Sequence, residues 1–114
     1  MRQIHLAEIL EADVGEDAAT NFLKCSCLLA WRRFDDAIKA CERAMTIEPD
    51  FKSAYWGKVH VGIEANQPKV ALAALSAYEQ AFQVQFDPDA LAKAPAYQQL
   101  ARSPEFSAWA NQRR

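Results

Sequence analysis

One stretch of this chain comes back at a fixed interval. The segment RRFDDAIKAC at 32–41 returns as NQPKVALAAL at 66–75, an offset of 34 residues. The register aligns Ala37 with Ala71, Ile38 with Leu72 and Cys41 with Leu75, and upstream it aligns Phe22 with Trp56. A period of this length marks stacked supersecondary units, each unable to bury its apolar face alone. We read each unit as helix A, a tight turn and helix B.

The punctuation of the chain supports that division. Ile4, Leu6, Ile9 and Leu10 recur at helical spacing, which predicts a short helix over 2–12 before the break at Gly15. Asp17 is an N-cap type, so the first helix A is expected from about 17 to about 32, with helix B at about 35–47 and Asp35 and Asp36 in its first turn. Pro49 closes that unit and Asp50 is expected to cap the next helix, over about 51–65. Asn66-Gln67-Pro68 forms the second turn, and the second helix B is expected to reach about 86, because the next proline is delayed to Pro88. Three proline-led openings at Asp87-Pro88, Ala94-Pro95 and Ser103-Pro104 then predict short helices near 88–93, 95–102 and 104–112. Leu91, Tyr97, Leu100, Phe106 and Trp109 are expected to cover the open side of the second hairpin.

The 34-residue period, together with Ala37, Cys41, Ala44 and Pro49, resembles the tetratricopeptide repeat family, whose helix B carries an A-x3-F…A…P pattern; cysteine stands here in place of the aromatic residue. The C-terminal run FDPDALAKAPAYQQLARSPEFSAW is similar to the cap of many bacterial members. The resemblance implies an all-α fold: two helix hairpins stacked as a short right-handed superhelix between terminal caps. The divisions are an N-terminal cap at 1–17, repeats at 18–51 and 52–86, and C-terminal capping helices at 87–114. It also implies a non-catalytic adaptor whose helix A face holds a partner protein or peptide. The family's inner-surface offsets fall on Ala19, Phe22, Ser26, Leu29 and Ala30, then on Ser53, Trp56, His60, Ile63 and Glu64. From these the expected partner-binding residues are Phe22, Ser26, Leu29, Trp56, His60, Ile63 and Glu64, with the two aromatic residues as anchors. The bland alternative is that a terminal helix of the same chain fills the groove. The Lys, Asn and Arg set with which some members grip a C-terminal carboxylate is missing from these offsets.

Other chemistry finds little support in the residues. Cys25, Cys27 and Cys41 could be soft metal ligands or redox thiols, but Cys25 and Cys27 lie about 200 degrees apart around a helix. The resemblance places Cys25 and Cys41 at small-residue offsets between helices A and B, so both are expected to be unbonded small hydrophobes; a disulfide between them is conceivable in geometry but disfavoured in a reducing compartment. His5 and His60 are the only histidines, and each has only a glutamate, Glu8 or Glu64, at helical spacing. No metalloprotease, nucleophile-elbow or phosphate-loop motif occurs, so no enzymatic activity, cofactor or metal is expected.

The chain has 114 residues, 51% of them hydrophobic, enough for one domain that buries roughly 60% or more of its unfolded surface. A formal charge of -2 with sparse arginine pairs argues against nucleic acid, and no segment reaches membrane-spanning length. His5, Glu8 and Glu11 interrupt any leader-like apolar centre, which with an odd cysteine count makes the cytoplasm the expected location. Two rival functions remain: a homo-oligomeric subunit, such as a homodimer, assembled through the open end of the stack, and a cysteine-based redox or metal-binding protein.

Overall fold

The computed structural model describes residues 17–113, and over them the chain is all-α with no strand. Four helices come first: α1 (Ala18–Ala30), α2 (Phe34–Ile47), α3 (Lys52–Glu64) and α4 (Pro68–Phe82). Shorter ones follow: α5 (Pro88–Lys93), a 3-10 turn at Pro95–Tyr97, α6 (Gln98–Ala101) and α7 (Pro104–Asn111). The helix expected over 2–12 lies outside the described residues.

Local chemistry explains most of these ends. The Asp17 carboxylate accepts the Thr20 N–H at 2.6 Å, satisfying a donor that the first turn of α1 leaves open. That bond favours the charged carboxylate and holds Asp17 below its usual value of 3.8. Asp87 and Ser103 cap α5 and α7 in the same way, accepting from Asp89 N at 3.0 Å and Phe106 N at 3.1 Å, each just before a proline at the first helical position.

The two hairpin turns are copies of each other. α1 ends with Arg32 N donating to Leu29 O and Arg33 N to Leu28 O, while α3 ends with Asn66 N donating to Ile63 O and Gln67 N to Gly62 O. Arg32 and Asn66 both adopt left-handed backbone, φ 58° and 56°, as this type of helix stop demands. Each pair of equivalent atoms is separated by the same period that the sequence shows.

Two sequence expectations are corrected here. Asp50 does not cap α3; Phe51 occupies that position without any side-chain cap. Its ring meets the Phe22 ring edge-on, centroids 5.6 Å apart, so burial of an aromatic side chain rather than a capping bond sets where the helix begins. Nor does α4 run to 86. It stops at Phe82, Gln83 turns left-handed at φ 53°, and Val84 N closes on Glu79 O. The delay before Pro88 is a non-helical connection, held back by the Phe86 N–H donating to the Glu79 carboxylate at 2.8 Å.

Packing follows the repeat. α1 lies on α2, α3 on α4, and α3 also contacts both helices of the first hairpin. Ala37 and Ala71 are each fully buried, and so are the pairs Cys25 with Val59 and Cys41 with Leu75. The closest approach is in the second hairpin, where a Cβ on Gly62 would stand 2.6 Å from Ala71 N. Only glycine permits that spacing. Leu91, Leu100, Phe106 and Trp109 join Val59, Leu72 and Leu75 in a common apolar cluster, with Tyr97 half-buried against it, so the short C-terminal helices cover the second hairpin.

Candidate functional site

The face expected to bind a partner is built by α1 and α3. On α1, Ala19, Leu23, Ser26 and Ala30 are exposed, and on α3 the exposed residues include Ser53, His60 and Glu64. Ser53, His60 and Glu64 are the period-equivalents of Ala19, Ser26 and Ala30, so both helices turn the same positions outward. Beside this strip run the half-buried Phe22, Leu29, Trp56 and Ile63.

These residues do not form one continuous groove. The Phe22 ring belongs with Phe51 and the α3 backbone at Gly57, and Leu29 packs into the first hairpin beside Cys25 and Leu28. Trp56 packs instead on Tyr78 and Phe86, centroids 5.1 and 5.7 Å away. Ile63 leans on the C-terminal cluster and helps line a narrow cleft with Leu100 and Ser103, whose free volume of about 20 Å³ suits a single water. Ser26 returns its hydroxyl to Phe22 O at 3.2 Å, and His60 and Glu64 face outward.

The chain's own C-terminal side therefore fills part of the α3 half. Tyr55, Trp56, Tyr78, Phe82 and Phe86 form a connected aromatic group in which Tyr78 contacts each of the other four rings. Four-residue spacing of Tyr78 and Phe82 on α4 was the available signal for part of it; Phe86 lies beyond the helix. Tyr55 donates its hydroxyl to Pro49 O at 2.6 Å, and burial, with the Asp50 charge second, raises its phenol above the usual 10.0. Lys52 Nζ sits 5.2 Å from the Phe82 ring centroid at the edge of the group.

A polar node that the sequence reading missed locks this arrangement. Glu79, 9% exposed, pairs with the Arg113 guanidinium and accepts the Phe86 N–H. Trp109 Nε1 donates to Ser76 Oγ at 3.0 Å, and Arg113 lies 3.8 Å over the Trp109 ring. Glu79 with Arg113 and Ser76 with Trp109 stand 34 and 33 residues apart in sequence, and no motif connects them.

The cysteines require a further correction. Cys25 and Cys41 are joined as a disulfide across α1 and α2, Cα atoms 5.5 Å apart, rather than packing as unbonded hydrophobes. The turn between the helices brings the two Cβ positions within bridging range. Cys27 is unpaired and half-buried. No group of three metal-ligating side chains occurs among the described residues. No helix among them is long and apolar enough to cross a membrane.

No family model, no curated protein and no solved structure matches this chain.

Proposed function

We propose that this chain is a non-catalytic helical-repeat adaptor of tetratricopeptide type, a short right-handed superhelix that holds a partner polypeptide on the face of α1 and α3. The observation that carries the reading is the shared outward register of the two helices, Ala19, Ser26 and Ala30 on α1 against Ser53, His60 and Glu64 on α3. A surface repeated at the period of the fold offers two parallel rows to an extended or helical segment. Phe22, Leu29, Trp56 and Ile63 supply half-exposed apolar area, Ser26 and His60 supply polar contacts, and Glu64 supplies charge. Because Phe86 already covers one side of Trp56, the accessible area is small and the binding reversible.

Affinity capture from native lysate with the parent, Trp56→Ala and Leu23→Ser tests this. Partners bound by the parent are lost by both variants while helicity is retained. A partner retained at full strength by both variants would place the binding face elsewhere.

A second reading, self-assembly through the open end, is favoured by the exposure of Trp31 at 39% and Ile47 at 36%, both on the first hairpin. Light scattering across concentration separates the two. A cytoplasmic location without nucleic acid or membrane partners stays part of the proposal. The Cys25–Cys41 bond counts against a permanently reducing setting, and thiol counting on protein trapped directly from cells decides it.

A further inference from the structure

The first hairpin carries a cross-link directly beneath the proposed binding face. Cys25 on α1 is 1% exposed, Cys41 on α2 is 0% exposed, and the bond between them ties the two helices together. Cys41 Sγ is also the atom nearest to the place where a Cβ on Gly57 would stand, at 2.8 Å, and Phe22 Cε1 comes next at 3.2 Å. One contact set thus joins the disulfide, the α3 backbone and the aromatic ring at the α1 half of the face. Glycine at 57 is what lets α3 settle against the sulfur.

We propose that the Cys25–Cys41 pair is a redox-sensitive staple that regulates the α1 half of the partner-binding face, an inference that rests on that face being the binding site. In the closing step the two thiols give up two protons and two electrons to a low-molecular-weight disulfide, which leaves as two thiols. Opening is the reverse: an external thiolate attacks one sulfur to form a mixed disulfide, and a second thiol displaces it, leaving both cysteines reduced. Cys27 lies about 200 degrees around α1 from Cys25, so it does not serve as the resolving thiol. Once unbonded, the two sulfurs must separate to van der Waals contact. The site has no slack for this, being closed by Gly57 on one side and by Leu28 and Ala37 in the same cluster. The separation therefore moves α1 against α2 and α3, and Phe22 with it. Since both sulfurs are buried, an external thiol reaches them only when the hairpin opens, so reduction proceeds at the rate of that opening.

The test compares hydrogen exchange of the full chain equilibrated with oxidised glutathione and the same chain reduced with dithiothreitol. Reduction is expected to speed exchange of the amides of Ala18–Ala30 by at least about tenfold while those of α4 and α7 stay unchanged. A Cys25→Ala/Cys41→Ala variant, which lacks both sulfurs, does not respond to dithiothreitol, and Cys27→Ala responds as the parent does. Three free thiols after glutathione treatment, no change on reduction, or a uniform acceleration throughout the chain would each overturn the staple. If the double variant does not fold, the reduced parent still decides. No partner is needed for this measurement, so its failure removes the staple alone, whereas failure of the Trp56→Ala and Leu23→Ser captures removes the binding face.

Discussion

Arg113 closes on Glu79, 34 residues earlier in the chain, and so fastens the last described residue to the last turn of α4. The same carboxylate receives the Phe86 N–H, which places the Phe86 ring against Trp56. One acidic side chain thereby couples the C-terminal cap to the aromatic group beside the binding face. Truncating either partner leaves the other charge poorly solvated, so Glu79→Ala or Arg113→Ala is expected to cost about 3 kcal/mol. The double variant should lose less than the sum of the two, measured by urea midpoints at unchanged slope.

Gly57 and Gly62 sit on the same helix and gain the same intrinsic helix propensity on mutation to alanine, about 1 kcal/mol. Their surroundings differ. A Cβ at 62 meets the Ala71 backbone at 2.6 Å, which cannot yield without moving α4, whereas at 57 it meets side-chain atoms of Cys41 and Phe22. Gly62→Ala should therefore destabilise by about 2 kcal/mol in thermal or urea unfolding, and Gly57→Ala should also be destabilising, because the Cys41 Sγ that it meets is held by the bond to Cys25.

Left-handed backbone is costly for residues other than glycine, asparagine and aspartate. Gln83 adopts it at φ 53° to stop α4. Gln83→Gly is expected to stabilise the chain by about 1 kcal/mol. Asn66→Gly, at φ 56°, should give a smaller gain because asparagine tolerates the conformation. Paired unfolding curves check the ranking.

Tyr55 links stability to alkaline pH. Its phenol is raised above 10.0 by burial and by Asp50, so the folded state favours the protonated form that donates to Pro49 O. The stabilisation is complete below pH 10.0 and is lost as pH climbs through the folded value. Tyr55→Phe should cost about 1 kcal/mol at neutral pH, and the gap to the parent should shrink above pH 10.0. Tyr97, also raised by burial, contributes in the same direction and keeps a residual alkaline loss in the variant.

Much of the fold could be read from residues that act locally. Asp17, Asp87 and Ser103 cap the helices they precede, because each needs only a donor two or three residues away. Asp50 fails at the same task because Phe51 gains more from meeting Phe22, a contact across the first repeat. The end of α4 escaped the proline argument because the residue that stops it, Gln83, carries no turn signature. Of the expected binding residues, Ser26, His60 and Glu64 stand on the open face, while Trp56 and Ile63 are shared with the C-terminal cover. Periodicity assigns a residue to a helix face; what lies opposite that face is a separate matter.

From the amino-acid order alone came the all-α class, the 34-residue unit, the hairpin turns and the proline-led helices of the cap, because periodicity, capping and φ restriction act over a few bonds. Only the folded arrangement decided that Cys25 reaches Cys41, that Phe86 lies on Trp56 and that Glu79 binds Arg113. Each of these depends on the relative placement of whole helices, which is fixed by the summed burial of many apolar side chains and is written in no single residue.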